Sequence, residues 1–305
     1  YLCLGLRMQN QEINFAVIAD VQYSNEDNLE LCHFRQSPEK LYDAVSDINQ
    51  SDAQFTVQLG DFINQYEKSY EIVLPIWDEL LKPSRHVLGN HDLMVSDQFK
   101  QKVAPLLGLQ KTWYSETVND WRFIYLDGND ISFSASCEGT AEYEEVEKYY
   151  QAHGAPSPRW NGALGEEQLQ WLENELQLAT RSEQKVMIFC HFAVYPFSEF
   201  CLWNAPYIVS IIDKYTCVKA WFNGHEHDGN YQQRNHCHYL SFKGMVDTDE
   251  SSFAFVSLKE ESIEITGMGR EISRSLAIAD PIPDELLTSP FVKAKTARKP
   301  PKFLV

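Results

Sequence analysis

Five short polar blocks, each at the end of an apolar run, gather side chains of the kinds that bind divalent cations. They are Asp20-Val21-Gln22, Gly60-Asp61-Phe62-Ile63-Asn64, Gly89-Asn90-His91-Asp92, His191, and Gly224-His225-Glu226-His227. Carboxylates, amide oxygens and imidazoles are donors that hard and borderline metals accept. The series holds enough of them for two ions rather than one. Two ions about 3.5–4 Å apart, bridged by oxygen, can activate water and bind phosphoryl oxygens together, so the blocks predict a two-metal hydrolase of phosphate compounds. A single shared carboxylate is the simplest protein bridge. Asp61, in a tight turn after Gly60, is the candidate.

The other members can be sorted by direction. Asp20 and Gln22, two residues apart on a strand end, point the same way and can hold one ion together. His225 and His227 repeat that spacing across Glu226, and their imidazoles can share an ion or reach different ones. Asn90 and His191 complete the second set. His91 follows Asn90 and faces elsewhere, which leaves it free for proton work: beside two cations it can donate to developing phosphorane oxygens or protonate the leaving oxygen. Asp92 is its expected partner. Each block alone reads more simply as a turn or a helix cap, and the ordered set on successive strand ends carries the chemistry. His33, His86, His153, His236 and His238 match no block and are expected at surface or satisfied core positions.

The elements that must position these residues show in the patterning. Apolar, β-rich runs at 13–19, 54–59, 85–88, 122–126, 186–190 and 219–222 read as strands, several covered on both faces. Amphipathic stretches at 37–49, 70–81, 166–179 and 205–215 read as helices, the first with Ser37 as N-cap and Pro38 opening it. From Cys237 onward come strands without helices, at 238–242, 253–258 and 262–266. This order predicts a layered α/β fold with mixed sheets, its ligand blocks at strand ends where open α/β sheets place their sites. Residues 1–270 read as one domain, with a long insertion at 128–165 near the site mouth. Residues 271–305 read as a peripheral or flexible C-terminal extension.

Composition bounds the partners. A chain of 305 residues with 44% hydrophobic and 13% aromatic content can bury a large core. Its net charge of −18 argues against a nucleic-acid partner, which needs basic surface. An acidic enzyme for phosphorylated small molecules must bring local positive charge, and bound cations supply it. The seven cysteines, odd in number and without a C-x-x-C pair, suit reduced thiols and a cytoplasmic location. No run approaches the ~20 apolar residues of a membrane span, so no membrane partner is expected. The first residue is Tyr1 rather than Met, so the N-terminus is read as incomplete.

At these blocks the sequence resembles the calcineurin-like metallophosphoesterase family, whose pattern is Asp-x-His, Gly-Asp-x-x-[Asp/Asn], Gly-Asn-His-[Asp/Glu], His and Gly-His-x-His. The resemblance runs over residues 15–229. It implies a four-layer α/β/β/α sandwich with two mixed β-sheets. It also implies one ion held by Asp20, Gln22, Asp61 and His227, another by Asp61, Asn90, His191 and His225, and His91 as the catalytic histidine. Gln22 departs from the pattern, standing where His is usual. An amide oxygen is harder and weaker than imidazole, which shifts that site toward Mn²⁺ or Mg²⁺ and away from Zn²⁺. Asn64 stands where purple acid phosphatases carry an iron-binding Tyr, which argues against redox iron.

Within the family, Asp-x-Gln resembles the manganese-dependent ADP-ribose/CDP-alcohol diphosphatase branch, as do the segments 160–172, 202–204 and 267–270. This resemblance implies cleavage of the phosphoanhydride of a nucleoside diphosphate derivative by metal-hydroxide attack. Manganese is the implied pair of ions, with Mg²⁺, Fe and Zn²⁺ as alternatives. Phe34, Phe192, Tyr195 and Trp203 are the candidates for stacking on substrate. A phosphodiesterase or a phosphoprotein/phosphomonoester phosphatase on the same centre is the alternative, and a scaffold that has lost its metals would show decayed blocks.

Overall fold

Strand β1 (Ile13–Ile18) sends Phe15 and Val17 into one apolar layer and Ala16 and Ile18 into another, all four fully buried. A period of two with both faces apolar is the signature of a strand inside a layered fold. The computed structural model describes residues 12–278. Expectations about the first residues, with Cys3, and about the chain beyond 278 lie outside the described residues. After β1 come α1 (Ser37–Gln50), β2 (Phe55–Gln58), α2 (Tyr70–Trp77), β3 (Ser84–His86), α3 (Asp97–Leu106), β4 (Tyr114–Val118), β5 (Trp121–Tyr125) and β6 (Ile131–Ser132). There follow α4 (Ala141–Tyr149), β7 (Gly162–Ala163), α5 (Glu166–Arg181), β8 (Lys185–Phe189), α6 (Ala205–Ile212) and β9 (Val218–Asn223). The last strands are β10 (Asn230–Arg234), β11 (Cys237–Ser241), β12 (Ser252–Leu258), β13 (Ser262–Gly269) and β14 (Arg274–Ala277).

Two six-stranded sheets form, in the orders β14-β13-β12-β1-β2-β3 and β10-β11-β9-β8-β5-β4. Both are mixed: β1, β2 and β3 run parallel in one, β5, β8, β9 and β11 in the other, and the remaining pairings are antiparallel. The layer between them is aromatic. Phe15 stacks on Phe55 with centroids 5.0 Å apart and meets Phe123 and Phe189 of the other sheet edge-on at 6.0 Å. Truncating such a ring to alanine costs about 3–5 kcal/mol. Leu41, Val45 and Ile48 of α1 with Val73 and Trp77 of α2 cover the outer face of the first sheet. Leu169, Leu172 and Leu176 of α5 with Ile208 and Ile212 of α6 cover the second. Helix, sheet, sheet, helix is the four-layer sandwich.

The expected strands form within a residue or two of their predicted limits, and β13 runs on to Gly269. The helices differ more. Ser37 lies inside α1 as its first residue, is fully buried and makes no cap bond, so Gln36 takes the N-cap position. α2 ends at Trp77, short of the predicted 81, and contains Pro75, which removes one backbone donor within it. Helix α3 and the edge strands β4 and β10 were not anticipated. β10, Asn-Tyr-Gln-Gln-Arg, is polar on both faces and gives no alternation. β14 pairs with β13, so the sheet continues past residue 270 into what reads as an extension. Inside the stretch 128–165, β6 and β7 pair, α4 is capped by the Thr140 side chain, and a small core of Val146, Tyr150, Ala163 and Trp203 packs beneath.

Candidate functional site

The five blocks leave β1, β2, β3, β8 and β9 at the ends where each strand's chain exits, so both sheets deliver their polar turns to one edge of the sandwich. The turns bend unusually sharply. Asp20, Gln22, Asp61 and His225 have φ of 51°, 46°, 53° and 68°, in the left-handed region that side chains rarely adopt. Such conformations cost about 1–3 kcal/mol each and persist where the surroundings over-determine them, typically at functional sites. The strand period therefore does not align Asp20 with Gln22, since both sit in turns beyond β1. Glycine makes the crowding possible: a Cβ on Gly60 would sit 2.6 Å from His191 Nδ1, and one on Gly89 would strike the Asp61 carboxylate.

Four side-chain atoms converge at the buried end. His191 Nε2 lies 3.1 Å from Asp61 Oδ2, 3.2 Å from Asn90 Oδ1 and 3.1 Å from His225 Nδ1. The hydrogen bonds behind them fix the tautomers. His191 Nδ1 donates to the Leu59 carbonyl at 2.8 Å, so its Nε2 is bare in the neutral ring. The Asn161 amide donates from Nδ2 to the Glu199 carbonyl and offers Oδ1 to His225 Nε2 at 2.9 Å, so His225 Nδ1 is bare too. Burial would lower His191, but the Asp61 carboxylate outweighs it and pushes the ring up to about 9, so without an ion a proton occupies the set. With that proton gone, two nitrogen lone pairs, a carboxylate and an amide oxygen face one another. That arrangement is repulsive alone and fits a cation, because metal-binding imidazoles are oriented by a partner on their far nitrogen.

The neighbouring set shows the same logic. His227 Nδ1 donates to Asp247 Oδ1 at 2.9 Å, which turns its Nε2 toward Asp20 Oδ1 at 3.6 Å. Asp20 itself is fully buried and is held by the His225 backbone N–H. Gln22 Oε1 is buried and has no hydrogen-bond partner. An orphaned buried acceptor costs about 1–3 kcal/mol, and a cation would satisfy it. Asp61 belongs to the first set. Burial would raise its carboxyl, but the facing His191 and His91 rings outweigh that and hold it below the usual carboxylate range, so Asp61 is an anion. Asp61, Asn90, His191 and His225 fit one divalent ion by their mutual distances, while Asp20 and His227 face each other and Gln22 lines a cleft with His227, which leaves donors for a second.

Asp92 does a different job from the one expected. Its carboxylate accepts the backbone N–H groups of Asp61 and Phe62 at 2.9 Å and of Gly89 at 3.0 Å, and the Tyr70 hydroxyl at 3.0 Å. It is fully buried, and burial with the nearby Asp61 charge pushes it up to about 7. It ties the β2 turn to the β3 turn and does not touch His91. His91 instead donates from Nδ1 to the Asn64 carbonyl at 2.7 Å, while its backbone N–H donates to Asp61 Oδ1 at 2.8 Å. Its Nε2 is thereby left for the cleft, which His91 lines.

That cleft has a volume of about 650 Å³ and is walled by Gln22, Asp61, Asn90, His91, His225 and His227 on the polar side. Phe34, Leu29, Met94, Trp160 and Phe200 supply the apolar side. Of the four aromatic candidates only Phe34 lines it. Phe192 is fully buried and packs edge-on against His191 and His225 at 4.9 and 4.7 Å, bracing them from behind. Trp203 is buried under the insertion against Tyr150 and Phe133, and Tyr195 packs on Tyr239. Sequence reading missed Trp160 and Phe200 as cleft walls, and Asn161 and Asp247 as histidine partners. Trp160 and Asn161 do belong to the segment 160–172 noted above. Asp247 carries no local signal. Among the described residues none of the other histidines lines the cleft; His86 packs on Trp77 and His238 hydrogen-bonds Tyr231.

The family described as Calcineurin-like phosphoesterase matches residues 13–229. A protein of Mus musculus named manganese-dependent ADP-ribose/CDP-alcohol diphosphatase is 29% identical over 84% of this chain and 91% of its own length. One of Oryza sativa subsp. japonica with the same name is 29% identical over 79% of this chain and 86% of its own. A solved structure of a dimetal phosphatase from Danio rerio superposes with a TM-score of 0.78 at 24% identity, covering 88% of this chain and 99% of that one.

Proposed function

Because the chain belongs to the calcineurin-like phosphoesterase family, and is a metal-dependent phosphohydrolase, we propose that it cleaves the phosphoanhydride of nucleoside diphosphate derivatives such as ADP-ribose and CDP-alcohols, using two manganese ions. The observation that carries the finer reading is Gln22 Oε1, a buried amide oxygen without a partner on a residue that lines the cleft with Asp61 and His227. Oxygen donors favour Mn²⁺ and Mg²⁺ over Zn²⁺. The relatives' shared name supports the choice of substrate.

When bound, the ion pair supplies a water nucleophile at neutral pH and charge neutralisation for phosphoryl oxygens. The protein does the rest. Asp20, Gln22, Asp61, Asn90, His191, His225 and His227 present preset lone pairs, and Asn161, Asp247 and the Leu59 carbonyl hold the rings so that those lone pairs face inward. Asp92 holds the two turns whose separation sets where Asp61 and Asn90 sit. His91 is the catalytic residue: with Nδ1 committed to the Asn64 carbonyl, its Nε2 faces the cleft, and in the imidazolium form that nitrogen carries the proton given to a phosphoryl oxygen or to the departing oxygen. Phe34, Trp160 and Phe200 exclude water and offer flat faces to a base or a distal group.

Assays of ADP-ribose, a CDP-alcohol, a cyclic nucleotide and a phosphomonoester with Mn²⁺, side by side, test this. Turnover led by the two diphosphates is expected. Turnover confined to the monoester would overturn it.

A further inference from the structure

Apart from histidines, the cleft contains no basic residue: among the described residues no Lys or Arg lines it, while Glu26 and Asp27 do. The two acids differ in what surrounds them. Asp27 is 92% exposed on its side chain and is paired with Arg35 at 2.7 Å, so its charge is both screened and balanced. Glu26 is half-buried, and neutral groups alone hold it. Asn64 Nδ2 donates to Oε2 at 2.9 Å, Gln65 Nε2 to Oε1 at 2.8 Å, and the Ser24 hydroxyl to Oε2 at 3.3 Å. Among the described residues no cation pairs with it. These bonds fix the carboxylate and leave its charge uncompensated.

Its position is tied to the reaction centre by two hydrogen bonds. Asn64, which holds Glu26 through its side chain, holds His91 through its carbonyl. A group bound beyond the phosphates on the His91 side therefore sits in the field of a fixed negative charge, with Trp160 and Phe200, 5.6 Å apart, as aromatic walls of the same cleft. Aromatic faces and a carboxylate both attract cations and repel added negative charge.

We propose that Glu26 is a specificity-determining residue that selects substrates by the charge of the group beyond the diphosphate, favouring cationic over neutral and neutral over anionic groups. The inference rests on the diphosphatase reading above and deepens it. The charge of the diphosphate is common to substrates esterified at both ends and cancels from the ratio between them, whereas free CDP differs from them on its terminal phosphate. A free terminal phosphate adds one negative charge, and the field of Glu26 is what disfavours it. At an effective dielectric of about 20, unit charges about 12 Å apart shift a ratio about tenfold.

The test compares kcat/KM for three cytidine diphosphate compounds under one Mn²⁺ concentration: the choline ester, with a cationic end; the glycerol ester, with a neutral end; and free CDP. In E26Q the choline-to-glycerol ratio should fall about tenfold and the CDP-to-glycerol ratio should rise by a similar factor. E26D, which keeps the charge, should preserve the wild-type order even if all three rates fall, and D27N should leave the ratios alone. Rates that drop equally for all three in E26Q would mean that Glu26 acts only by holding Asn64, and would overturn the inference. A second reading needs no variant: raising ionic strength should narrow the wild-type ratios, and ratios insensitive to salt would also overturn it. A wild-type protein that hydrolyses neither ester would overturn the diphosphatase reading itself, and the inference with it.

Discussion

Replacing Asp92 by Asn changes one atom at the point where the two central turns are tied together. Oδ2 accepts the N–H groups of Asp61 and Gly89, and Oδ1 accepts that of Phe62 and the Tyr70 hydroxyl. The least costly placement of an asparagine keeps its oxygen at the Oδ2 position, so the pair that spans β2 and β3 survives. Its NH₂ then faces Tyr70, whose hydroxyl can turn to accept, and the Phe62 N–H, which cannot. One buried amide is left without an acceptor at about 1–3 kcal/mol, and the two surviving bonds lose their charge assistance. Removing the repulsion between Asp92 and Asp61 offsets part of this. The net loss is about 2–3 kcal/mol, or roughly 5 °C in Tm for a chain of this size. Thermal melts in chelator read the metal-free protein, and manganese titration reads the site. D92N should melt lower and bind Mn²⁺ more weakly. A Tm within 1 °C of wild type together with unchanged affinity would refute the assigned role.

H91A should keep both metals but lose about 10²–10⁴ in kcat, and metal analysis showing a depleted protein would contradict the separation of roles. Q22H should shift selectivity from Mn²⁺ toward Zn²⁺ in competition titrations, since it trades an amide oxygen for imidazole, and unchanged selectivity would count against Gln22 as a ligand. Acid sensitivity should come partly from His86, fully buried against Trp77 and Phe62 and depressed by burial to about 3. A base depressed on folding stabilises fully above the unfolded pKa near 6.5, and that stability falls by at most about 1.4 kcal/mol per pH unit as the pH drops from there toward 3. Asp127, raised by burial to about 6, titrates in the opposite sense. Urea melts of H86F against wild type from pH 7 to 4 therefore isolate the histidine, and parallel curves would reject its contribution.

Much of the site was legible because its residues are local in sequence. A block such as Gly89-Asn90-His91-Asp92 puts a donor, a proton-transfer group and a brace on consecutive positions, and the flanking apolar runs place the block at a strand end. The strands were legible because burial on both faces leaves near-continuous apolar runs. What could not be read depends on chain segments that meet only in the fold. Asn161 reaches His225 across 64 residues, and Asp247 meets His227 after a loop with no pattern of its own. Asp92 adjoins His91 in sequence, yet its carboxylate turns inward to three amides while the imidazole turns out to the Asn64 carbonyl. Aromatic type misled for a similar reason: Phe192 and Trp203 carry the same apolar payload as Trp160 and Phe200, and only packing decides which ring faces the cleft. Polar edge strands such as β10 give no period to read.

Manganese stoichiometry, followed with diphosphatase activity in one titration of the metal-free protein, tests the dinuclear centre most directly. Two Mn²⁺ per chain, with activity rising as the second ion binds and both ions weakened in D61A, is the predicted result. Full activity with a single ion bound, or a D61A protein that still holds two ions as tightly as wild type, would contradict it.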